Sequence, residues 1–299
     1  MDITFEERLP TYFIGHGGVS IMFKPQHELV RQGLRELGKE IKALNPTAIV
    51  CTCGEFQSDN DFIQGWPQAL CNIPRQMLTN ILLLVNLKEP TKVWHDIGPS
   101  WRTTFPHVFD YDYCHQSSRA LGEQVLQHLQ AKGIKAVGVE RDLDHGIWVP
   151  FKLMFPDGED ELDVPILQIS TYAGDDLEAH IQLGEALSSL DGRILFIGSG
   201  MLCHNLRATR LGTSDTAVAK SFEAAAGKAL RAPTLQQRNV EFLTLQKRDD
   251  WIDAHPTAEH VLPLYMTLGV GLSLNRKEWK VWNQDQCIIG QSYYTFRLG

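Results

Sequence analysis

Short apolar runs alternate with amphipathic stretches along this chain, and that alternation constrains the fold more than any other feature. The run at 48–53 is continuous and β-prone, as in a strand buried on both faces of a parallel sheet, and the run at 164–170 also predicts a strand. The stretches at 27–44 and 117–132 place apolar residues at helical spacing between charged ones. The pattern predicts an α/β fold: a single domain, residues 1–299, with a mostly parallel central sheet flanked by helices.

Composition restricts the classes of function. The 299 residues carry a net charge of −8 with histidine neutral, without long runs of like charge, so the chain lacks the basic footprint of a nucleic-acid-binding protein. The longest apolar run, residues 81–85, is far too short to span a bilayer, and the acidic and polar residues after Met1 do not resemble a signal peptide. We therefore expect a cytoplasmic protein with no nucleic-acid partner and no membrane association.

Histidines stand beside or a few residues from glycine or proline where predicted strands or helices begin and end. Of the eleven histidines, the following do so: His16, His145, His204, His255 and His260. Glycine lets the backbone turn sharply at such points, and ligands of open α/β sheets bind beyond the carboxyl ends of the strands. The segment 141–150, which contains His145, follows the apolar run at 136–139 in this way. Taken alone, that segment is equally consistent with a solvated turn.

These histidines suit a metal centre. Imidazole binds first-row divalent metals, and a site with two or three protein ligands leaves positions open for substrate or oxygen. Histidines that do not bind the metal could act as general acids and bases. The long spacings are not a motif in themselves, so the residues alone leave the choice between a metal site and unrelated histidines open.

Four segments resemble a known family. They read Phe13-Ile-Gly-His16-Gly-Gly, Leu143-Asp-His145-Gly-Ile-Trp-Val-Pro150, Gly198-Ser-Gly-Met-Leu-Cys-His204-Asn-Leu-Arg207 and His255-Pro-Thr-Ala-Glu-His260-Val-Leu-Pro263. In order and approximate spacing they resemble the class III extradiol ring-cleavage dioxygenases, and most closely the DOPA-extradiol-dioxygenase-like branch. The resemblance runs from about residue 10 to the C-terminus, so residues 1–299 are expected to form one extradiol-dioxygenase-like catalytic domain.

The resemblance implies an oxidoreductase with a non-haem metal, Fe(II) or alternatively Zn(II), whose partners are a small aromatic diol and O2. By resemblance His16 and His255 bind the metal, and His260 forms the site wall or is the alternative ligand. His204 matches the acid/base histidine, and His145 matches the histidine that contacts the substrate hydroxyl or oxygen. We thus predict catalytic roles for His145, His204 and His260. A ring slot is expected from the aromatic residues Trp94, Trp101, Phe105, Tyr111, Tyr113 and Trp148.

The end of the second predicted strand departs from the family pattern. Relatives carry a Ser-Ala-His-Trp-like segment whose histidine binds the metal, whereas this chain reads Cys51-Thr-Cys53-Gly-Glu55. Aligned by resemblance, Cys53 occupies the ligand position, so the predicted metal site is His16, Cys53 and His255. Glu55 lies on the same face of an extended strand and would restore a two-histidine, one-carboxylate iron site. A thiolate would favour zinc, and if neither residue binds, the site is degenerate.

Two functions compete at this point. The first is a non-haem metal-dependent dioxygenase that inserts O2 into a catechol-type ring and opens it by extradiol cleavage. The second is a homologue with a degenerate metal site that acts as a binding or scaffold protein, or as a zinc-dependent hydrolase. The identity of the residue that replaces the second metal histidine separates them.

Overall fold

An eight-stranded sheet with helices on both faces forms the body of the protein. The structure, a computed structural model, describes residues 8–57, 82–85, 101–110, 113, 115–140, 142–156, 158, 161–213, 216–288 and 290–299. The strands are β1 (Thr11–Gly15), β2 (Ala48–Gln57), β3 (Leu82–Val85), β4 (Ala136–Val139), β5 (Ile166–Thr171), β6 (Ile194–Gly200), β7 (Trp279–Trp282), β8 (Cys287–Ile288), β9 (Gln291–Ser292) and β10 (Thr295–Leu298). The helices are α1 (Glu28–Ala43), α2 (Trp101–Thr104), α3 (Arg119–Ala131), α4 (His145–Met154), α5 (Leu177–Leu187), α6 (Leu206–Leu211), α7 (Thr216–Leu230), α8 (Leu235–Thr244), α9 (Trp251–Ala254) and α10 (Leu262–Ser273).

The sheet is parallel at its centre and includes antiparallel pairs on both sides of that centre, whereas the edge pair β4–β3 is again parallel. Its strand order is β4-β3-β5-β2-β6-β1-β10-β7, and β5, β2, β6 and β1 run parallel. On one side β3 pairs antiparallel with β5, and on the other β10 and β7 are added in antiparallel order. The predicted fold class, a mostly parallel sheet flanked by helices, is confirmed. The hydrophobic pattern of the sequence does not predict the direction of the strands outside the parallel centre.

Successive residues of β1 enter different cores, as strand geometry requires. Tyr12 and Ile14 pack with α1 and α4 on one face of the sheet, whereas Phe13 packs with α7 and α10 on the other. Helix α10 is buried along nearly its whole length, which explains its uniformly apolar sequence. In the part of the chain that the structure describes, no helix combines the length and the apolar character needed to cross a membrane.

Glycines allow α10 to pack backbone-to-backbone against α5. A Cβ atom on Gly269 would overlap the carbonyl oxygen of Ile181, and one on Gly184 would overlap that of Met266. This close approach fixes α10 relative to the sheet. It matters for the site because His260 lies just before the first residue of this helix.

Gly269→Ala should therefore destabilise the protein by about 1–3 kcal/mol or more, because the added methyl group has no room. Gly227→Ala is the matched control: Gly227 is also helical and buried, but its nearest neighbour would lie 3.4 Å from the new Cβ. Alanine is favoured over glycine in helices by about 0.8–1.0 kcal/mol, so the control should be neutral or stabilising. Chemical denaturation measures both variants, and equal destabilisation would contradict the packing argument.

His27 is buried beside Tyr293, close to the turn that carries the first site residue. The two ring centroids are 5.2 Å apart in an edge-on arrangement. The Tyr293 ring in turn occupies the space that a side chain on Gly17 would need, and Gly17 has a φ of 60°, which favours glycine. Burial, with the charges of Lys24 and Arg31, lowers the pKa of His27 to about 4. The folded protein thus holds this imidazole neutral.

The neutral His27 makes stability depend on acid pH. Its pKa is about 4 when folded and about 6.5 when unfolded, so the unfolded chain binds more protons between these values. Its contribution to stability is lost as pH falls from about 6.5 through 4. His27→Phe should flatten the pH dependence of thermal unfolding in this window, because phenylalanine keeps an aromatic ring beside Tyr293 and does not titrate. Equal curves for the wild type and His27→Phe would refute the assignment.

Candidate metal centre

The site lies at the carboxyl edge of the central parallel strands. His16 directly follows β1, Glu55 lies near the end of β2, and His204 lies in the turn after β6. His145 is the first residue of α4, and His260 lies before α10. Because parallel strands end at the same edge, the fold gathers side chains that are distant in sequence, as expected for ligand sites of α/β sheets.

Potential ligand atoms of His16, Glu55 and His260 converge within 4.8 Å of one another. The Oε1 atom of Glu55 lies 2.8 Å from Nε2 of His260 and 3.4 Å from Nε2 of His145. Two imidazoles and one carboxylate form the donor set that non-haem Fe(II) sites use, and zinc accepts it as well. By the chemistry of the donors, these residues fit a divalent metal ion. A second group, which shares His260, consists of His204, Glu259 and His260.

A hydrogen-bond relay fixes the tautomer of His16. Its Nδ1 lies 3.0 Å from Oγ of Ser199, and that hydroxyl donates to the carbonyl oxygen of Gly146 at 2.5 Å. The single hydroxyl proton is thus already used, so Ser199 accepts from Nδ1–H of His16. Nε2 of His16 consequently keeps its lone pair and is the nitrogen that can bind a metal.

Two carboxylates act on His260 from opposite sides. Glu259 Oε1 lies 3.0 Å from its Nδ1, and Glu55 Oε1 lies 2.8 Å from its Nε2. Burial alone would lower the pKa of His260, but the two carboxylates outweigh it and raise the pKa to about 9. Burial likewise opposes ionisation of Glu55, yet the charges of His145 and His260 hold the pKa of Glu55 well below its usual value.

His16 and His204 are neutral imidazoles. Burial first, and then the positive charge of His260, hold the pKa of each well below the usual value. The His204 ring stacks on the His260 ring with centroids 3.5 Å apart and planes inclined by 20°. His204 is half-buried, so a neutral base stands beside the metal-ligand group at a position that is not closed off from solvent.

Cys53, the predicted third ligand, does not join this group. Its Sγ donates to Oδ1 of Asp144 at 2.8 Å and accepts from Nε2 of Gln168 at 3.2 Å. Burial and the nearby Asp144 raise the pKa of the Cys53 thiol well above its usual value, so the thiol is neutral in this hydrogen-bonded arrangement. The pairing of β2 with β5 also shifts register between residues 52 and 57, which re-aims the side chains there. Glu55, the alternative donor, reaches the histidines instead.

His255, the other predicted ligand, belongs to neither group of candidate ligands in the described chain. Its ring packs against Trp251, with centroids 4.6 Å apart, and edge-on against Phe222 at 5.4 Å. Burial lowers the pKa of His255 to about 3, which suits a neutral core residue. Of the two histidines in the last motif, His260, which the resemblance left as the alternative, is the one that joins the candidate ligands.

The histidines predicted to be catalytic, His145, His204 and His260, are all brought to the site. Some residues at the site were not singled out from the sequence. Ser199 stands in the Gly-Ser-Gly segment at the end of β6, and Glu259 directly precedes His260, so position next to a predicted site residue was the available signal.

Part of the predicted aromatic ring slot lies outside the described residues. Trp94, Tyr111 and the side chain of Trp101 lie outside the described residues. Trp148 is wholly buried in the core formed by α1 and α4, so it supports the site from behind and does not line a slot. Phe105 stacks on Phe23 with ring centroids 5.5 Å apart.

Comparisons with known proteins agree with the resemblance. The model of the LigB family, the catalytic LigB subunit of aromatic ring-opening dioxygenase, matches residues 10–297. The chain is 33% identical to the 4,5-DOPA dioxygenase extradiol-like protein of Schizosaccharomyces pombe over 56% of this chain and 60% of that protein, less than two thirds of the relative. It is 32% identical to the 4,5-DOPA dioxygenase extradiol of Beta vulgaris over 64% of this chain and 71% of the relative.

Two proteins from Escherichia coli K12 match over most of the chain. The 4,5-DOPA dioxygenase extradiol of this organism is 25% identical over 88% of this chain and 85% of its own length. A crystal structure of an uncharacterized protein from the same organism superposes with a TM-score of 0.62 at 20% identity, covering 98% of this chain and 100% of that chain. At this identity the structural match shows that the fold is shared.

The geometry predicts which histidine of the last motif binds metal. His260→Asn and Glu55→Gln should each weaken Zn²⁺ binding, measured by calorimetric titration, by more than the roughly 10–100-fold that outer-shell partners contribute. His255→Phe, which keeps an aromatic ring between Trp251 and Phe222, should bind as the wild type does. Circular dichroism confirms folding of each variant. Loss of Zn²⁺ in His255→Phe together with retention in His260→Asn would reverse the assignment.

Proposed function

The chain belongs to the LigB family of aromatic ring-opening dioxygenase catalytic subunits, and on this basis we propose that it is a non-haem metal-dependent enzyme that opens a catechol-type ring by extradiol cleavage with O2. The observation that carries the proposal is the convergence of His16, Glu55 and His260 within 4.8 Å. The scaffold or hydrolase alternative was motivated by the missing second histidine. Because Glu55 supplies a donor at that place, the loss of the histidine no longer argues for a degenerate site.

His16, Glu55 and His260 would hold the metal ion, Fe(II) in the proposed reaction and Zn(II) as the alternative occupant. When bound, such an ion supplies Lewis-acid and redox chemistry and leaves positions open for other ligands. The neutral Nε2 of His16 and the ionised carboxylate of Glu55 are already in the protonation states that metal binding requires.

His204 is the proposed base. Its depressed pKa keeps the ring neutral at neutral pH, so a ring nitrogen can accept a proton from a substrate hydroxyl. Stacking on His260 at 3.5 Å holds the ring in one orientation beside the ligand group. His145, whose Nε2 lies 3.4 Å from the Glu55 carboxylate, borders the same space and is the proposed contact for a substrate hydroxyl or oxygen.

Catechols with an amino-acid side chain are the first substrates to test. Several relatives from plants and from Escherichia coli bear the name 4,5-DOPA dioxygenase extradiol. At 25–33% identity this similarity supports the class of substrate, an aromatic diol, and makes DOPA a member of the panel.

The test is anaerobic reconstitution with Fe(II), followed by oxygen uptake with a panel of catechols. We expect one O2 consumed per ring opened, with the yellow product absorbance of a cleaved ring. His204→Ala should lower kcat by about 10²–10⁴-fold, the usual contribution of a general acid or base, while iron occupancy stays full. His255→Phe is the control with normal activity. Absence of uptake with every catechol at full iron occupancy would overturn the proposal.

A further inference from the structure

Three wholly buried polar side chains form a connected cluster behind the metal-ligand group: Asp144, Cys53 and Gln168, here called the Asp144 clamp. Oδ1 of Asp144 accepts from the Cys53 thiol at 2.8 Å, and Oδ2 accepts from Nε2 of Gln168 at 2.6 Å. The same Gln168 nitrogen lies 3.2 Å from the Cys53 sulfur. Cys53 belongs to β2 and Gln168 to β5, so the Asp144 carboxylate accepts hydrogen bonds from two neighbouring strands of the sheet.

Asp144 is the N-cap residue of α4 but does not cap it with its side chain. Its carbonyl accepts the first helical hydrogen bonds, from the backbone N–H groups of Ile147 and Trp148, both at 3.0 Å. An aspartate at this position ordinarily accepts from the first-turn N–H groups, as Asp176 does at the start of α5. The Asp144 carboxylate instead faces the sheet, and so ties the start of α4 to β2 and β5.

The start of α4 is in direct contact with the site. His145 follows Asp144, and the carbonyl of Gly146 accepts from Ser199, the residue that fixes the tautomer of His16. A Cβ atom on Gly146 would lie 3.1 Å from Cβ of Cys53 and 3.2 Å from Cε1 of His16. The backbone at Gly146 therefore packs tightly between Cys53 of the clamp and the His16 ring.

We propose that Asp144 is a positioning residue: through the clamp it holds the start of α4 against the sheet and thereby sets His145 and the His16–Ser199 pair. This inference rests on the metal centre proposed above. In this chain the position that aligns with a metal histidine in relatives has become part of the support behind the centre. Cys53 acts there as a hydrogen-bond donor and not as a ligand.

Removing the thiol leaves a buried carboxylate oxygen without that donor, which loosens the tie between helix and sheet. Cys53→Ala removes the donor, and Cys53→Ser keeps one. The matched control is Cys51→Ala: Cys51 lies on the same strand, is also wholly buried, and donates to the carbonyl of Leu167 outside the clamp. Asp144→Asn is a second probe, because its amide keeps only one of the two oxygens that accept separately from Cys53 and Gln168 and places an NH2 donor at the other.

The probe is Co(II), whose visible absorption reports ligand geometry and whose affinity is measured by competition with a chelator. We expect about tenfold weaker binding and an altered spectrum for Cys53→Ala and Asp144→Asn, in line with the effect of outer-shell partners. Cys53→Ser and Cys51→Ala should match the wild type in both. A Cys53→Ala variant with wild-type affinity and spectrum would overturn the proposal.

A second readout needs no metal. Histidine ring ¹⁵N NMR of the metal-free protein reports the tautomer of His16 and the environment of His145. Cys53→Ala should shift both sets of signals and Cys51→Ala neither, and unchanged signals in Cys53→Ala would also overturn the proposal. If the wild type binds no Co(II), the metal centre fails as a proposal, whereas the NMR comparison still decides whether the clamp positions these rings.

Discussion

The carboxylate of Glu55 sets the charge state of the whole site. It lies 2.8 Å from His260 and, with Glu259, raises the pKa of that imidazole to about 9. The resulting positive charge, together with burial, depresses the pKa of His16 and of His204. Glu55 and Glu259 thus hold His260 protonated, whereas burial and the charge of His260 keep His16 and His204 neutral. In the low dielectric of such a site, moving the carboxylate would change all of them together.

Periodicity and turn residues were sufficient to predict the central strands, the amphipathic helices and the edge of the sheet at which the histidines gather. These features depend on local sequence, because burial of a strand or of one helix face leaves a pattern within ten to twenty residues. The antiparallel edge strands β10 and β7 leave no comparable pattern, since direction depends on where the chain returns. The family resemblance pointed to His16 and, as the alternative, to His260, and both belong to the candidate ligand group.

Cys53 and His255, two of the predicted ligands, lie outside the candidate ligand groups of the described residues for separate physical reasons. Alternation along an ideal strand places Cys53 and Glu55 on one face, but the register shift of β2 against β5 breaks that equivalence. Cys53 is hydrogen-bonded to Asp144 and Gln168, which are far away in the sequence. The sequence around Cys53 therefore could not predict these bonds. In the last motif, His255 and His260 are distinguished by Trp251 and Phe222, which pack around His255.

Glu55 also changes what a metal ion would meet. The resemblance implies an imidazole at this place, whereas a carboxylate lowers the formal charge of the donor set by one and supplies a harder ligand. Glu55 accepts the proton on Nε2 of His260 at 2.8 Å, so His260 would have to lose this proton to act as a metal ligand. A proton and a metal ion would compete for the same pair of atoms. A neutral His204 stacked on His260 is well placed to accept a proton from this region, which connects its depressed pKa with its proposed role as a base.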